Sequence, residues 1–308
     1  MALTLLEASK LNDGDIKRQA VIEMFAQNSD ILRVLPFEDI PGGSLTYNLE
    51  GELPGVGFRG FNEGYDESTG IVNPQTEVLR IAGGDLDVDK ALIKTRGEQV
   101  RDSQESMKIK SMALSIADKI INGDSEADPR VFDGLRKRIV GDQLIDAGSS
   151  DGGDALSIFQ LDEAIDAVDG ANYLLMNKAT RNRLNQAARQ SLGGEMHWDK
   201  DEFGRRIAMY NDLPILVADY DNEGKQIMGF DEVASGGSTA TASSIYILSI
   251  GSDKITGLQN GVMEVEDLGE IDEKPVFRTR VEWLVGLAAM HGRAAARIRG
   301  VKNVPFVA

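Results

Sequence analysis

The sequence predicts an α+β fold, and three observations support this prediction. Residues 44–50 (SLTYNLE) and 75–93 (QTEVLRIAGGDLDVDKALI) alternate apolar and polar side chains on either side of a glycine-rich stretch, as the limbs of a long hairpin would. Residues 97–122 carry apolar side chains at the spacing of one long helix. Residues 141–250 alternate strand-like and helix-like segments, which is typical of a compact α/β unit, and long β segments follow from Gly261.

The individual elements are expected in this order along the chain. Residues 14–28 place apolar side chains at helical spacing, and Pro36 and Pro41 keep the next segment extended. The long helix ends at the stop signal Asn122-Gly123. The later predicted elements are a strand at 172–177, a helix at 178–193, strands at 213–220 and 245–250, and two strands within 261–301 joined by an acidic turn at 267–274.

Composition excludes several classes of protein. The chain of 308 residues has a formal net charge of −17, which argues against an open nucleic-acid groove, because such a groove needs a basic face. It contains no cysteine, so disulfides, thiolate chemistry and cysteine zinc sites are excluded. No apolar run approaches the roughly 18 residues of a membrane span, and the start lacks the features of a secretory signal. We therefore expect a protein made in a cytosol, with no membrane partner.

The glycine-rich stretch contains GVGFRG (55–60), which matches the G-x-G-x-x-G pattern of dinucleotide-binding loops. That pattern requires a buried strand before it and a helix after it. Here Glu52, Leu53 and Pro54 precede it, and glycines and acids follow. The sequence therefore predicts no nucleotide site and no cofactor.

The same stretch presents three aromatic side chains, Phe58, Phe61 and Tyr65, with no local core to bury them. Limbs of roughly fifteen to twenty residues at about 3.3 Å each would make a hairpin on the order of 50–65 Å long. One interpretation is that the hairpin lies on another subunit. The other is an ordinary loop packed on its own domain.

Candidate chemistry is sparse. GSSDG (148–152) matches the G-x-S-x-G nucleophile elbow with Ser150, but its preceding strand is weak, and the possible bases are His197 and His291, the latter in a predicted strand. The acids of DAGSSDGGD fit no EF-hand spacing, and the histidines form no zinc motif. We predict no catalytic residue, no metal site and no enzymatic activity, and keep a serine hydrolase using Ser150 as the alternative of another class.

The segment after the long helix, INGDSEADPRVFDGLRKR (121–138), carries the most specific pattern. It joins a helix end and Gly-Asp to a Pro-x-x-Phe-x-Gly-Leu run at Pro129, Phe132, Gly134 and Leu135. With the order of parts and the closing strands, it resembles the major capsid protein of tailed bacteriophages. That fold, named after the Hong Kong lambdoid phage, is shared with encapsulins, and the resemblance covers nearly the whole chain.

The resemblance implies a domain division. It comprises an N-terminal arm (1–42), an extended E-loop hairpin (43–90), a peripheral domain (91–155 and 259–308) with a spine helix at about 97–122, and an axial domain (156–258).

The resemblance also implies a function. The chain would self-assemble into hexamers and pentamers of an icosahedral phage head around double-stranded DNA, which it would contact indirectly. An encapsulin-type bacterial nanocompartment shell is the alternative. Partners would be further copies, a scaffolding protein, a portal and a cementing protein, with assembly in the bacterial host cytoplasm and the virion as its location.

Residues implied at subunit contacts lie at the hairpin tip and in the acidic turn: Gly55, Phe58, Arg59, Phe61, Tyr65, Glu270, Asp272 and Glu273. Some members of the family join an E-loop lysine covalently to an asparagine of a neighbour. Between Gly43 and Asp89 this sequence has no lysine, so the shell is expected to be non-covalent.

Overall fold

The computed structural model describes residues 3–4, 29–189, 196–200 and 206–307. The helix expected at 14–28 lies outside these residues. The helices of the described residues are α1 (Asp30–Val34), α2 (Lys90–Arg96), α3 (Gln99–Asn122), α4 (Leu135–Arg138), α5 (Ile158–Asp166) and α6 (Lys178–Arg189). The strands are β1 (Leu3–Thr4), β2 (Pro36–Asp39), β3 (Ser44–Glu52), β4 (Ile71–Val78), β5 (Arg80–Asp89), β6 (Leu144–Asp146), β7 (Tyr173–Met176), β8 (Met196–Lys200), β9 (Arg206–Tyr210), β10 (Leu213–Val217), β11 (Glu232–Val233), β12 (Ala240–Leu248), β13 (Ile255–Gln259), β14 (Glu264–Ile271), β15 (Lys274–Ala289) and β16 (Ala295–Lys302).

A six-stranded sheet is built around β15, which is 16 residues long. β13 and β14 follow one another along one edge of β15, and β5 lies along the other. Alternate β15 side chains, among them Trp283 and Val285, are buried in one core with the apolar stripe of α3. The Trp283 ring also packs against Phe37 of β2, with 4.9 Å between the ring centroids.

The eight-stranded sheet runs in the order β6-β16-β12-β7-β10-β9-β8, with β11 paired to β12. Its central strands are buried on both faces, so successive side chains enter different cores. Leu174 and Met176 of β7 pack in a core with residues of α5 and α6. Leu175, between them, belongs to the core that also contains α3 and β15 residues. This sharing places α3 in one core with both sheets.

The hairpin differs from its predicted form in the second limb. β3 and β4 pair from Ser44↔Val78 to Glu52↔Ile71, and after Leu79 the chain becomes β5, which leaves the hairpin and pairs with β15. The alternation that predicted one limb over 75–93 therefore spans two strands with different partners. The paired limbs have 9 and 8 residues, not fifteen to twenty.

The C-terminal β region also needs two corrections. β14 extends to Ile271 and β15 starts at Lys274, so the turn expected at 267–274 contains only Asp272 and Glu273. The register between these strands shifts near Gly269, which has a left-handed φ of 74°. His291 lies in the turn between β15 and β16, not in a strand.

No helix among the described residues is long and apolar enough to cross a membrane.

Candidate assembly surfaces

The tip of the hairpin, defined as residues 53–70, has little regular structure but is internally organised. The Ser68 hydroxyl donates to the carbonyl oxygen of Gly55 across the tip (2.8 Å). The backbone N–H of Gly60 donates to Glu63 Oε2 (2.8 Å), which stabilises the turn at the end of the tip. The Arg59 guanidinium lies over the Tyr65 ring, 5.2 Å from its centroid.

The apolar side chains of the tip are in solvent. Phe58 and Phe61 are each 103% exposed and Tyr65 is 68% exposed. Leu53 and Val56 beside them are 78% and 90% exposed. These side chains are therefore not packed on their own domain, and the interpretation that the hairpin lies on another subunit stays a prediction.

The root of the hairpin is fixed by a cluster that the sequence did not indicate. The Tyr47 hydroxyl donates to Glu77 Oε1 (3.1 Å) or to the carbonyl oxygen of Ala289 (3.1 Å). Arg138 of α4 forms a two-pronged ion pair with Glu77, one arm of which measures 2.7 Å. Burial, and then the Glu77 carboxylate, raises the pKa of Tyr47 to about 12. The hairpin is therefore attached at its base to both α4 and the end of β15.

The acidic residues of the C-terminal turn do not behave as a single cluster. Lys90 Nζ contacts both carboxylate oxygens of Glu270, at 2.8 and 2.6 Å, so Glu270 is neutralised within the subunit. Asp272 and Glu273 are exposed, and no ion pair among the described residues involves them. Only these two acids of the predicted set are available to a neighbour.

Two Arg–Asp ion pairs lie along β15 near the C-terminal turn. Arg278 makes two hydrogen bonds to Asp87 of β5 (2.6 and 2.7 Å), and Arg280 makes two to Asp85 (2.7 and 3.1 Å). The hydrogen bond from Arg278, opposed by partial desolvation, holds the pKa of Asp87 below its usual range. These pairs attach β5 to β15 beyond the backbone ladder.

The dinucleotide pattern has no supporting structure. The residues before GVGFRG end strand β3 of a two-stranded ribbon, and no helix follows within the tip. Gly55 and Arg59 instead take part in the tip's own contacts.

The nucleophile-elbow pattern is likewise unsupported. Ser150 lies in an exposed loop between β6, which ends at Asp146, and α5, which begins at Ile158, so it is not at a strand-to-helix turn. The backbone N–H of Ser150 donates to Asp154 Oδ2 (3.1 Å). The two histidines lie beside other carboxylates: His197 Nε2 is 3.7 Å from Asp212 Oδ1, and His291 Nε2 is 3.9 Å from Asp169 Oδ2.

The acidic loop around Ser150 uses its carboxylates for hydrogen bonds. Asp151 Oδ1 accepts from the backbone N–H groups of Ser238 and Thr239 (2.7 and 2.8 Å). The Thr239 backbone and hydroxyl donors hold the pKa of Asp151 below its usual range. Within the described segments, no group of three or more His, Asp or Glu residues could hold a metal ion.

The segment 121–138 forms a tight backbone connection at the end of α3. The N–H of Gly134 donates to the carbonyl oxygen of Gly123 (2.9 Å), and Phe132 and Leu135 are buried. The two glycines allow this approach, since a Cβ on Gly123 would lie 2.3 Å from the Phe132 carbonyl oxygen. The pattern seen in the sequence is therefore a packing motif.

The chain was compared with models of protein families and with curated protein sequences. The family model described as "Major capsid protein GP7" matches residues 12–171, which is 160 of the 308 residues. A search of curated protein sequences returns no significant match.

Solved structures similar to this chain include an encapsulin complex and the capsid of a GTA particle. The holo-SrpI encapsulin complex from Synechococcus elongatus PCC 7942 matches with a TM-score of 0.65 and 16% identity, covering 100% of this chain and 99% of that one. The capsid of a native GTA particle matches with a TM-score of 0.62 and 14% identity, covering 91% of each chain. A Mycobacterium phage Bobi structure matches with a TM-score of 0.60 and 13% identity, covering 88% and 89%.

These similarities confirm the predicted α+β fold of the phage-capsid type. The family model matches more than half of the sequence, including the long helix and the 121–138 segment. The chain therefore belongs to the GP7 family of major capsid proteins, which are structural components of the virion.

Proposed function

We propose that this chain self-assembles into hexamers and pentamers of an icosahedral phage head that encloses double-stranded DNA. The observation that carries the proposal is the tip, whose side chains Phe58 and Phe61 are fully exposed in the isolated subunit. Burial of a Phe side chain contributes about 1.5–3 kcal/mol, and a closed shell repeats that contribution at every copy. The contact residues proposed on the tip are Gly55, Phe58, Arg59, Phe61 and Tyr65.

The second proposed contact is the turn at Asp272 and Glu273, with Glu270 beside it. Its exposed acids would meet basic side chains or cations at a junction of subunits. The pairing of Glu270 with Lys90 supports a structural role for Glu270 inside the subunit and leaves the two turn residues for the contact.

The domain division proposed for the shell follows the resemblance: arm 1–42, hairpin 43–90, peripheral domain 91–155 and 259–308, axial domain 156–258. The attachment of β5 to β15 supports a narrower hairpin, with the segment after Leu79 acting as part of the peripheral sheet.

Partners other than further copies are also proposals. A scaffolding protein would guide assembly, a portal would occupy one vertex, and a cementing protein would reinforce the shell, all in the host cytoplasm. The net charge of −17 supports indirect contact with packaged DNA. We propose no catalytic role, because the Ser150 pattern lacks the elbow geometry.

The test is expression of the chain followed by electron microscopy and mass measurement of the purified protein. We expect closed particles built from many 33.4 kDa subunits. A strictly monomeric protein in every buffer, with or without a co-expressed scaffolding protein, would contradict the proposal.

An encapsulin-type shell is the second candidate, favoured by the match that covers 100% of this chain and 99% of the encapsulin. The two candidates differ in contents. Nuclease-protected double-stranded DNA inside native particles supports the phage head, and a protein cargo without DNA supports the nanocompartment.

A further inference from the structure

We propose that α4 couples the root of the hairpin to the eight-stranded sheet, so that loss of contacts at one lowers the local stability of the other. The helix has four residues, Leu135–Arg138, and is about 6 Å long at about 1.5 Å per residue. Its side chains contact parts of the chain that belong to different sheets. The inference goes beyond the proposed function and does not depend on assembly.

The position of α4 is set by its surroundings. A helix this short is not stable by itself, because nucleation costs more than one turn returns. Leu135 and, directly after the helix, Ile139 are buried in the same core as Ile120 and Ile121 of α3. The apolar side chains therefore anchor α4 to α3, and its charged side chains determine what else it holds.

The three consecutive basic side chains of α4 point in different directions. Successive residues of a helix are rotated by about 100°, so Arg136 and Arg138 project from nearly opposite sides. Lys137, between them, contacts carboxylates of the segment that follows α3, including Glu126 at 3.3 Å and Asp133 at 3.6 Å. The two arginines reach other parts of the fold.

Arg138 reaches the hairpin. Its guanidinium makes the two-pronged ion pair with Glu77 of β4 and donates to the carbonyl oxygen of Leu287 in β15 (2.9 Å). The side chains of Arg138 and Glu77 are both largely buried. Such a pair depends strongly on its geometry, because water cannot fully replace a partner that moves away.

Arg136 reaches the eight-stranded sheet. Its guanidinium lies 3.7 Å from Glu232 Oε1 of β11, and its carbonyl oxygen accepts a hydrogen bond from Arg297 of β16 (3.4 Å). Glu232 and Arg297 are buried and pair with each other at 2.7 Å. The Ser244 hydroxyl of β12 donates to the same carboxylate. The sheet side of α4 therefore contacts a buried charged network that joins three strands.

The two charged contacts share one short segment of backbone. A tilt of α4 that lengthens the contact between Arg138 and Glu77 also moves Arg136 relative to Glu232. Loss of either contact removes a restraint on α4 and weakens the geometry of the other, where buried charges are costly to leave without a partner. The two sites are therefore expected to be coupled, and such coupling is reciprocal.

The experiment measures hydrogen exchange of backbone amides by mass spectrometry on the full-length, unassembled subunit. The variant on the hairpin side is Glu77→Gln, and the variant on the sheet side is Arg136→Gln. We expect Glu77→Gln to speed exchange around Glu232 by at least about threefold, and Arg136→Gln to speed exchange in β4 by a similar factor.

Chemical denaturation of the same variants gives a second readout. In the combined variant, the change in the unfolding equilibrium constant is expected to be smaller than the product of the two single changes by at least about threefold. The reason is that the second substitution acts on an α4 that the first has already released. Strictly additive effects would mean that the two contacts are independent.

The matched control is Asp87→Asn, which also replaces a carboxylate by an amide in a two-pronged arginine pair, with Arg278 as the partner. Asp87 lies on β5, and within the described part of the chain it has no hydrogen bond or ion pair to α4. Faster exchange is expected at β5 and β15 and not around Glu232. Equal acceleration around Glu232 in this control and in Glu77→Gln would reflect a general loss of stability and overturn the inference.

A second variant covers the case in which Glu77→Gln does not fold. Glu77→Asp keeps the charge and shortens the side chain by one methylene, and the same acceleration is expected around Glu232. Faster exchange confined to the hairpin in the variant that folds overturns the inference. A subunit that shows the coupling but never forms particles keeps this inference and contradicts the proposed shell function.

Discussion

At the scale of single residues, two glycines determine how the chain leaves α3. Gly134 and Gly123 are joined by a backbone hydrogen bond of 2.9 Å. A Cβ on Gly123 would lie 2.3 Å from the carbonyl oxygen of Phe132 and 2.4 Å from the carbonyl oxygen of Lys119. Both obstructing atoms belong to the backbone, so they cannot move aside cheaply.

Gly123→Ala is therefore expected to lower the free energy of unfolding by about 2–3 kcal/mol, because the backbone must shift to admit the methyl group. Chemical denaturation of the unassembled subunit measures this. Gly292→Ala is the control, since a Cβ there meets no atom within 4 Å and should change stability by less than about 0.5 kcal/mol. Equal effects of the two substitutions would contradict the packing role of Gly123.

Tyr47 provides a pH-dependent test of the hairpin root. Tyr47→Phe removes the hydroxyl that hydrogen-bonds to Glu77 and is expected to cost about 1 kcal/mol at neutral pH. The folded protein raises the pKa of Tyr47 from 10.0 to about 12, so its contribution is present below pH 10 and is lost as the pH rises through 12. The stability difference between wild type and variant should narrow over that interval in denaturation curves. A constant difference would show that the hydroxyl is not held as described.

At the scale of elements, the hairpin has a root that is held by Tyr47, Glu77 and Arg138 and a tip whose apolar side chains are exposed. Phe58→Ala and Phe61→Ala are expected to reduce particle yield strongly while leaving the melting temperature of the unassembled subunit unchanged. Phe132→Ala, at a position that is 6% exposed, should do the reverse and destabilise the subunit by about 3–5 kcal/mol. If the tip variants melt earlier and still assemble, the tip packs within its own subunit.

The same element predicts a shell without covalent links. The segment between Gly43 and Asp89 contains two basic residues, Arg59 and Arg80, whose guanidinium groups stay protonated and cannot act as amine nucleophiles. Lys90 follows the hairpin at its root and is paired with Glu270. Particles boiled in SDS should run as one band near 33.4 kDa on a gel. A ladder of multimers that survives this treatment would disprove the prediction.

The long helix shows what sequence can predict about an element. Its apolar repeat and its Asn-Gly stop are local, and α3 covers 99–122 where 97–122 was expected. The second hairpin limb could not be predicted in this way. Alternation in 75–93 is the same whether a strand pairs within the hairpin or with β15, whose residues 276–285 lie almost two hundred positions away.

The candidate surfaces also include features that the local sequence predicts and features that only the fold creates. Exposed aromatics at the tip were predictable, because the local sequence offers no core for them. The cluster of Tyr47, Glu77 and Arg138 and the pairing of Glu270 with Lys90 each join distant segments of the chain. Their residue types are ordinary, and only the fold brings them together.

At the scale of the whole molecule, the dominant quantity is the net charge of −17 on each copy. Assembly brings many such copies together, and exposed acids such as Asp272 and Glu273 add to their repulsion. Particle yield followed by light scattering should rise as ionic strength increases from about 10 mM to about 200 mM, over which the Debye length falls from about 30 Å to below 10 Å. Salt screens ion pairs that are already in contact less than it screens the repulsion between whole copies. A yield that does not change with salt would contradict this expectation.

The direct continuation of β4 into β5 has a mechanical consequence. A tensile force on the hairpin enters the sheet at Arg80, and β5 is joined to β15 by ten register pairs ending at Asp89. Hydrogen bonds between antiparallel strands run perpendicular to the strands, so a pull along β5 loads them together in shear instead of opening them one by one. In a shell under internal pressure, the pairing of β5 with β15 would resist a pull on the hairpin better than the contact made by the tip. Failure would therefore begin between subunits.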